Sequence, residues 1–380
     1  MDGTRGRPIR CKGAICRKFG EPLVIEEIEV APPKPFEARI RILCTSLCHS
    51  DVTFWKMDGP LLQLPIILGH EAVGVVESVG EGVEGLKEED TVVPVFLGSC
   101  EECRDCESEK SNMCSKFAFK LGVGMPRDGT SRFRDGKGET VHNFLCVSSF
   151  AEYTVVDIAH LVKIDCGIPV DKACLLSCGV STGIGAAWKV AEVHKGSSVV
   201  IFGLGSIGLA VAEGARLRGA SKIIGVDLNT EKFTVGKQFG VTHFVNPKEC
   251  SQDKPVHEVI KEMTDGGADY SFECIGLASL MNDAFLSCRS GVGKTVILGV
   301  EMHGAPLSIN SFELLRGKSV MGCLFGGMKP KSDIPLLAQR YLDKELNLDS
   351  FITHEVNLED INKAFDLLQQ GKSLRCIIWM

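Results

Sequence analysis

Residues 197–208, SSVVIFGLGSIG, contain a short apolar stretch followed by three glycines with the spacing Gly-x-Gly-x-x-Gly. The apolar stretch predicts a buried strand, and the small and apolar residues that follow Gly208 predict a helix. In such a strand–turn–helix unit, Gly203 permits the tight turn and Gly205 lets the main chain approach a pyrophosphate. Gly208 then allows the helix to pack closely against the strand. The stretch therefore predicts a βαβ unit that binds a dinucleotide, although glycines that serve packing alone would give the same spacing.

The sequence around this stretch repeats the same pattern. Between about residues 171 and 325, apolar strand patterns alternate with helical patterns, which is typical of a doubly wound parallel sheet of the α/β class. Asp227 comes nineteen residues after Gly208, at the distance where a carboxylate accepts hydrogen bonds from the adenosine ribose. Leu228 and Asn229 follow it, so no arginine is present there to bind a 2′-phosphate. We therefore predict NAD rather than NADP.

The two ends of the chain have a different pattern. Residues 21–98 contain short stretches with β-branched residues and apolar–polar alternation, separated by proline and glycine, which predicts a β-rich module. Residues 360–380 predict one amphipathic helix and a final strand. A chain of 380 residues is long enough for two domains with separate cores.

Four cysteines lie close together in the hydrophilic segment 99–114, SCEECRDCESEKSNMC. They are Cys100, Cys103, Cys106 and Cys114, with the spacing Cys-x2-Cys-x2-Cys-x7-Cys. Four thiolates at this spacing can surround a zinc ion tetrahedrally, and the long last gap disfavours an iron–sulfur cluster. Because the segment has no core of its own, we predict a structural zinc site that holds the loop together.

The composition argues against several classes of function. The net charge of −7 is unsuited to binding nucleic acid or to docking on an anionic membrane. No apolar stretch is long enough to span a bilayer, and the polar start MDGTRGRPIR lacks the apolar segment of a signal peptide. We therefore expect a cytoplasmic protein, in which the 17 cysteines are free thiols or metal ligands rather than disulfides.

Single candidate ligands occur in three further motifs, which are TSLCHSD at 45–51, LGHEAVGVVESVG at 68–80 and LLSCGVSTG at 175–183. A lone cysteine or histidine is usually a packing residue, so none of these motifs indicates a site by itself. Together with the four-cysteine loop and GLGSIG, and in this order, they resemble the zinc-dependent medium-chain alcohol dehydrogenases, in particular the plant alcohol dehydrogenase-like branch. The resemblance extends from about residue 12 to the C-terminus.

The resemblance implies a fold, an assembly and a substrate class. A GroES-like, β-rich catalytic domain would comprise residues 1–179 and 325–380, and a Rossmann domain that binds NAD would comprise residues 180–324. A homodimer would form through edge strands of the Rossmann sheets, with KSVMGCLF at 318–325 as a candidate edge. The substrate would be a small uncharged alcohol or aldehyde.

The resemblance also implies a second, catalytic zinc ion. Its ligands would be Cys48, His70 and Cys178, with a fourth position open to water or substrate. Glu71 would lie behind the metal as an occasional ligand, and Asp51 would accept a hydrogen bond from His70 and fix its tautomer. Zinc would act as a Lewis acid while a hydride moves reversibly between a primary or secondary alcohol and NAD.

Proton transfer in this chain departs from the family pattern. Ser50 would accept the hydroxyl proton of the substrate. Many relatives continue the relay with a histidine where this chain has Thr53, which has no basic group near neutral pH. Ala118 stands where glutathione-dependent relatives have an arginine, which disfavours a glutathione adduct as substrate. A non-redox zinc lyase that cleaves a cyanohydrin-type substrate, and a non-catalytic cofactor-binding protein, are the alternatives.

Contacts to the cofactor and the substrate are implied in the same way. His49 and Arg375 would neutralise the pyrophosphate, and Lys232 would lie beside Asp227. The predicted cofactor residues are His49, Thr182, Gly203, Gly205, Ser206, Ile207, Gly208, Asp227, Lys232, Val300, Phe325 and Arg375. The predicted substrate pocket consists of Trp55, Phe96, Phe144 and Leu145.

Overall fold

The structure is a computed structural model and describes residues 6–57, 59, 62–122, 124–164, 167–250, 254–302 and 304–380. The chain forms two compact units. The first consists of Met1–Cys178, Lys329–Lys344 and Phe351–Met380, and the second of Gly179–Met328 and Glu345–Ser350. The domain limits predicted from the sequence remain a proposal.

The strands of the described residues follow in chain order. They are β1 (Ile9–Cys16), β2 (Val24–Val30), β3 (Glu37–Ser46), β4 (Ile66–Ile67), β5 (Glu71–Val79), β6 (Thr91–Pro94), β7 (Phe133–Asp135), β8 (Thr140–Val141), β9 (Tyr153–Asp157), β10 (Leu161–Lys163), β11 (Ser198–Phe202), β12 (Lys222–Val226), β13 (His243–Val245), β14 (Tyr270–Glu273), β15 (Lys294–Ile297), β16 (Ser319–Gly322), β17 (Ile352–Asn357) and β18 (Arg375–Trp379).

The helices of the described residues are mostly short. The α-helices are α1 (His49–Lys56), α2 (Arg104–Glu107), α3 (Val170–Leu175), α4 (Gly179–Gly185), α5 (Ser206–Leu217), α6 (Glu231–Gln238), α7 (Val256–Met263), α8 (Ala278–Ser287), α9 (Ser311–Leu315), α10 (Pro330–Leu342) and α11 (Ile361–Gln369). A π-helical turn at Ala186–Val190 continues α4, and 3₁₀ turns lie at Ile158–His160, Pro247–Glu249, Phe325–Gly327, Asp349–Phe351 and Leu358–Asp360.

Two sheets form the first unit. The larger has the order β10-β6-β5-β3-β18-β17, with β9 paired to the first half of β3, and the smaller has the order β4-β1-β2-β7-β8. Alternate residues of β3, namely Ala38, Ile40 and Ile42, share one face and are buried with Ala72 and Val76 of β5. The β-rich module predicted for the N-terminal part of the chain is therefore confirmed.

The predicted series of strands is interrupted by one helix, α1. Cys48 is its N-cap, and the Asp51 carboxylate three residues later accepts a hydrogen bond of 3.0 Å from the Cys48 main-chain N–H. This reciprocal arrangement satisfies an N–H group that would otherwise lack a partner at the helix start. Helix α1 therefore begins at the residue after Cys48, and its start is fixed by a buried carboxylate.

The second unit is built on a parallel sheet with the order β13-β12-β11-β14-β15-β16. The chain starts at β11 in the middle, proceeds to one edge, then returns to β14 and proceeds to the other edge. The order therefore reverses between β11 and β14, which is the usual binding crevice of such sheets. The doubly wound α/β fold predicted from the sequence is confirmed. Its buried core includes Val200, Phe202 and Ile224.

The C-terminal residues complete the first unit. Ile361, Ala364 and Phe365 form the buried face of α11, and β18 joins the larger sheet between β3 and β17. The amphipathic helix and final strand predicted for this segment are confirmed. Among the described residues, no helix is both long enough and apolar enough to cross a membrane.

Candidate functional site

Cys48, His70, Glu71 and Cys178 come together in the first unit as possible metal ligands, which we call the buried metal group. Each offers one donor atom, and these atoms all lie within 4.8 Å of one another; all four residues are buried. Strand pairing contributes to this arrangement, because Ser46 at the end of β3 is paired with Glu71 at the start of β5. Cys48 follows that strand by two residues, and Cys178 lies immediately before α4.

The buried metal group fits a zinc ion by the chemistry of its donors. Two thiols, an imidazole and a carboxylate are the ligand types that zinc prefers in proteins. Ligands bound to one zinc ion at roughly 2.0–2.3 Å must lie within about 4.6 Å of one another, close to the observed limit of 4.8 Å. All four residues are buried, which distinguishes this group from the exposed acidic clusters that commonly occur without a metal ion.

Asp51 orients the imidazole of this group. Its Oδ1 lies 2.8 Å from Nδ1 of His70 and accepts a 3.2 Å hydrogen bond from the Gly69 N–H, while Oδ2 accepts from the Cys48 N–H. A buried carboxylate at Nδ1 assigns the proton to that nitrogen and leaves Nε2 as the metal-binding atom. The carboxylate therefore holds two metal ligands, His70 through its ring and Cys48 through its main chain.

The exchange Asp51→Asn is expected to weaken zinc binding at the buried metal group by about 10- to 100-fold, since an amide cannot supply the negative charge at the His70 Nδ1–H. Competition with a chromophoric chelator measures this, and the zinc in the four-cysteine loop serves as an internal reference. Asp157→Asn, which changes another buried carboxylate of the first unit, is the matched control. Equal chelator resistance in both variants would contradict the orienting role.

Glu71 is engaged by an arginine. Its two carboxylate oxygens accept hydrogen bonds of 2.9 Å each from Nε and an Nη of Arg375, and the guanidinium also lies 3.6 Å from the Cys48 Sγ. Both partners are buried, which gives a charge-assisted pair with two parallel hydrogen bonds. Arg375 thus neutralises the Glu71 carboxylate, and the predicted role of Glu71 as an occasional ligand behind Cys48, His70 and Cys178 stays a prediction. The predicted contact of Arg375 with a pyrophosphate stays a prediction.

The ionisation of the buried metal group follows from these contacts. The hydrogen bond between Cys48 and Cys178 lowers the pKa of Cys48 and raises the pKa of Cys178, and Arg375 lowers the Cys48 pKa further. Burial alone would lower the pKa of His70, but the nearby Asp51 and Cys48 outweigh it and raise that pKa. Burial raises the pKa of Glu71 to about 7 against the opposing effect of Arg375. A divalent cation that replaces the shared protons would neutralise the clustered charge.

The four cysteines of the loop 99–114, which we call the cysteine loop, form the other group of possible metal ligands. Their sulfur atoms all lie within 4.8 Å of one another, and the pairs Cys100–Cys106 and Cys103–Cys114 are each separated by 3.9 Å. Cys114 is buried and the other three are half-buried. Four thiols in a closed group fit a structural zinc ion.

Hydrogen bonds to sulfur stabilise negative charge in the cysteine loop, and negative charge on sulfur is what binds a cation. The N–H groups of Cys106 and Phe117 donate to the sulfur atoms of Cys103 and Cys114, at 3.4 and 3.3 Å. The Ser115 hydroxyl is the largest cause of the lowered pKa of Cys103, about 5, whereas burial raises the pKa of Cys114 to about 11. The loop therefore already stabilises thiolate charge at Cys103.

Two lysines at the start of α10 attach the cysteine loop to the rest of the first unit. Lys329 Nζ donates to the main-chain carbonyl of Cys106 at 2.5 Å, and Lys331 Nζ lies 2.7 Å from the Glu101 carboxylate. These contacts hold the Cys106 carbonyl and the Glu101 side chain, whereas the four sulfur atoms at the centre of the loop would be held together by a metal ion.

The glycine turn between β11 and α5 has the geometry that a dinucleotide requires. Gly203 has φ +93°, and a Cβ at Gly208 would lie 1.9 Å from the Gly203 carbonyl oxygen. A Cβ at Gly205, by contrast, would meet nothing within 4 Å, so open space adjoins the main chain there. Ser206 and Ile207 begin α5, whose N-terminal amides and dipole attract phosphate. The turn therefore fits a pyrophosphate.

Asp227 is fixed beside this turn. It follows β12, and its carboxylate accepts hydrogen bonds from the N–H groups of Leu204 and Asn229 at 2.8 and 2.9 Å. Lys232 Nζ lies 3.0 Å from the same carboxylate. Oδ2 accepts from both Leu204 and Lys232, so Oδ1, which accepts from Asn229, offers the further lone pair for a ribose hydroxyl. The structure thus places the predicted residues Asp227 and Lys232 together at the carboxyl edge of the sheet.

The remaining predicted cofactor residues of the second unit lie in three places. Val300 follows β15 at the same carboxyl edge and is 57% exposed. Thr182 is half-buried in α4, and the Phe325 side chain is buried, so a cofactor contact of Phe325 would have to come from its main chain. In the first unit, His49 is exposed and Ser50 half-buried in the first turn of α1.

Aromatic rings surround the imidazole of the buried metal group. The rings of Phe96 and Phe144 meet His70 edge to face at centroid distances of 6.1 and 6.0 Å. The Phe54 ring contacts the Phe144 ring at a centroid distance of 5.3 Å, and the Phe119 ring contacts the Phe96 ring at 5.7 Å. Phe54 and Phe119 are therefore part of the same aromatic group, which the sequence analysis did not identify.

The structure places Trp55 elsewhere. Its indole N–H donates to the Glu21 carbonyl at 2.6 Å, and its ring packs edge to face on Phe365 of α11. Neighbouring residues of α1 face in different directions, so Phe54 contacts Phe144 while Trp55 packs against α11. Leu145, also predicted for the pocket, is buried with φ +49° beside Phe144.

Comparison with known proteins gives a consistent result across the chain. The family model described as alcohol dehydrogenase GroES-like domain matches residues 34–166, and the model described as zinc-binding dehydrogenase matches residues 206–342. Alcohol dehydrogenase-like 1 of Arabidopsis thaliana is 66% identical over 382 aligned positions, which cover 100% of this chain and 98% of that protein. Alcohol dehydrogenase 1 of Solanum tuberosum is 52% identical, with 100% of both chains covered.

Solved structures agree with the sequence comparison. An alcohol dehydrogenase zinc-binding domain protein from Burkholderia ambifaria superposes with a TM-score of 0.90 at 32% identity, and the match covers 98% of this chain and 99% of that one. Benzyl alcohol dehydrogenase from Acinetobacter calcoaceticus superposes with a TM-score of 0.88 at 28% identity, with the same coverage.

Proposed function

The chain belongs to the zinc-dependent medium-chain alcohol dehydrogenases, and we propose that it transfers a hydride reversibly between a small uncharged alcohol and NAD. The observation that carries the proposal is the buried metal group, with its two thiols, its imidazole oriented by Asp51 and its surrounding aromatic rings. When bound, zinc supplies Lewis-acid activation of an oxygen and nicotinamide supplies the hydride acceptor.

The protein's own residues would then perform four tasks. Cys48, His70 and Cys178 would hold the metal, and the Asp51 carboxylate would keep Nε2 of His70 free for it. The aromatic group would exclude water and offer an apolar surface to the substrate, which favours an uncharged alcohol.

Ser50 is the proposed first acceptor of the substrate's hydroxyl proton. It lies two residues after Cys48 in the first turn of α1 and is half-buried, and its Oγ can accept one proton while it donates its own. Thr53 follows on the same helix and has no basic group, so we propose that the proton leaves from Ser50 without a histidine relay.

NAD is the proposed dinucleotide because of Asp227. Its carboxylate would accept a hydrogen bond from a ribose hydroxyl but would repel a 2′-phosphate, and the Lys232 ammonium is already paired with that carboxylate. The proposed preference for NAD over NADP therefore depends on Asp227, which would attract a ribose hydroxyl and repel a 2′-phosphate.

The exchange Asp227→Ser is expected to raise KM for NAD by about 10- to 100-fold, because hydrogen bonds to a charged group contribute roughly 1.5–3 kcal/mol. KM for NADP should fall or stay constant, since the repulsion is removed. Steady-state kinetics with both cofactors measure the ratio, and Glu231→Ser, which removes a nearby exposed carboxylate, is the matched control. An unchanged NAD-to-NADP ratio in Asp227→Ser would contradict this assignment.

A homodimer through the second unit is also proposed. Strand β16 ends the order of the parallel sheet, and an edge strand offers unpaired main-chain groups to another copy. Large apolar side chains are exposed just before β16, where Phe312 is 64% and Leu315 82% exposed, and just before β15, where Val292 is 56% exposed. Burial of these side chains against a second copy would remove them from water. Light scattering that gives the mass of a single chain would contradict the dimer.

The test of the proposed function is the absorbance of the reduced cofactor. Purified protein with two zinc ions per chain, NAD and either ethanol or benzyl alcohol should reduce NAD, and the corresponding aldehyde with NADH should oxidise it. Benzyl alcohol is included because a structurally similar protein is a benzyl alcohol dehydrogenase. Product formation from a cyanohydrin without any absorbance change would favour the lyase alternative, and cofactor binding without turnover would favour a non-catalytic role.

A further inference from the structure

Glu273 is a buried carboxyl group at the carboxyl end of β14. Its Oε1 accepts hydrogen bonds of 2.9 and 2.8 Å from the N–H groups of Ile275 and Gly276, in the loop that follows the strand. Its Oε2 is buried and has no hydrogen-bond partner among the residues that the structure describes. A buried acceptor in this state costs free energy, so stability alone does not account for a carboxyl group at this position.

The loop after β15 packs directly against the loop after β14. The main-chain carbonyl of Glu273 accepts hydrogen bonds from the N–H groups of Leu298 and Gly299 at 2.8 and 3.1 Å. A Cβ at Gly299 would lie 2.0 Å from the Gly276 nitrogen and 2.5 Å from Oε2 of Glu273. A Cβ at Gly276 would in turn lie 2.5 Å from the Val300 carbonyl oxygen. The main chains of the two loops are therefore in contact, and Glu273 lies where they meet.

These two loops lie on the opposite side of the crevice from Asp227. The order of the sheet reverses between β11 and β14, and Asp227 follows β12, which is on the other side of β11. A dinucleotide with its adenosine at Asp227 and its pyrophosphate at the glycine turn extends its other half over β14 and β15. Val300, one of the predicted cofactor residues, is 57% exposed after β15. The nicotinamide half would therefore meet the loops that contact Glu273.

We propose that Glu273 is a positioning residue for the nicotinamide half of the cofactor. Its side chain holds the loop after β14 through the N–H groups of Ile275 and Gly276. That loop in turn fixes the main chain of Val300, which would contact the cofactor. The adenosine half depends on Asp227 instead, which Glu273 does not hold. The inference rests on the proposed function, because it takes NAD to bind at the carboxyl edge of the sheet.

Three variants and one control test the proposal. Glu273→Met removes both acceptor oxygens but keeps a side chain of similar length, whereas Glu273→Gln keeps one acceptor oxygen. Gly276→Ala disturbs the contact between the two loops and leaves Glu273 unchanged, so it keeps the experiment decisive if Glu273→Met does not fold. The control is Glu213→Met, because Glu213 is equally buried in the second unit but is paired with Arg216 of the same helix.

Calorimetric titration of each zinc-loaded protein measures Kd for NADH and for ADP-ribose, which lacks the nicotinamide ring. In Glu273→Met and Gly276→Ala, Kd for NADH should rise about five- to tenfold, the size of a lost hydrogen bond, and Kd for ADP-ribose should change by less than about twofold. Glu273→Gln should leave both constants within about twofold, because the acceptor remains. Glu213→Met should lower the melting temperature and change neither constant.

An unchanged Kd for NADH in Glu273→Met or in Gly276→Ala would overturn the inference alone, as would an equal rise for ADP-ribose. A loss in Glu273→Gln as large as that in Glu273→Met would contradict the role of the hydrogen bonds, and a selective loss of NADH binding in Glu213→Met would show that any buried glutamate of this unit has the same effect. An unmodified protein that binds neither ligand would overturn the proposed function and this inference with it.

Discussion

Cys48→Ala should abolish alcohol oxidation, with a loss of at least ~10³-fold in kcat/KM, because it removes a thiolate ligand from the buried metal group. The loss should exceed the ~10–100-fold effect of a change in a residue that only orients a ligand. Removal of the thiolate also takes one partner from Arg375, since its guanidinium lies 3.6 Å from the Cys48 sulfur. Zinc analysis should find one ion per chain instead of two.

The matched control for this variant is Cys44→Ala. Cys44 is fully buried at the end part of β3, four residues before Cys48, but does not belong to either group of metal ligands. Both variants remove one buried sulfur atom, so they should have similar costs in packing. Two zinc ions and full activity in Cys44→Ala, with one ion and no activity in Cys48→Ala, would separate ligation from packing. Retention of both ions and of activity in Cys48→Ala would contradict the assignment of Cys48 as a ligand.

The fold could be predicted from local signals, and the site could be predicted only in part. The parallel sheet was predictable because each strand–turn–helix unit carries its own signal, as the residues around Gly203 and Gly208 do. The cysteine loop was predictable for the same reason, since its four ligands lie within one short segment.

The buried metal group has no such local signal. His70 and Cys178 come from segments far from Cys48, and strand pairing and helix packing bring them together. Composition and spacing could not identify them, and only the resemblance of several motifs in order did so. The pairing of Glu71 with Arg375 was missed because it joins the first residue of β5 to the first residue of β18.

Side-chain direction was the other limit. The family resemblance placed Trp55 in the substrate pocket. In the structure Phe54 contacts Phe144, whereas Trp55 packs against Phe365, and the pocket role of Trp55 stays a prediction. The eight residues of α1 lie between strands and are too few for a helical period to be seen in the sequence. The signal that could have shown the helix is Asp51 three residues after Cys48, at the positions of a capping pair. If helix α1 had been predicted, the adjacent residues Phe54 and Trp55 would have been assigned to different faces of it.

The cysteine loop is expected to contribute to stability rather than to chemistry, and Cys103→Ser should show this. Cys103 is the N-cap of α2, its sulfur accepts a hydrogen bond from the Cys106 N–H, and the Ser115 Oγ lies 3.5 Å from that sulfur. Loss of this ligand should release the loop's metal ion, and the loop has no buried helix face to hold it, since α2 contains no buried residue. The free energy of unfolding should fall by about 5 kcal/mol, a fraction of the ~10–16 kcal/mol with which zinc binds small structural sites.

This loss should lower the melting temperature of the first unit by roughly 10–20 °C, since 1 kcal/mol corresponds to about 2–4 °C for a unit of this size. Limited proteolysis should then cut within 99–114, where the unmodified protein resists. Cys250→Ser is the matched control, because Cys250 is also half-buried but lies in the second unit outside both ligand groups. The outer contacts of Lys329 and Lys331 are made to Cys106 and Glu101 and do not involve the Cys103 side chain that is changed. A variant that keeps two zinc ions, its melting temperature and its resistance to protease would show that Cys103 is not a ligand.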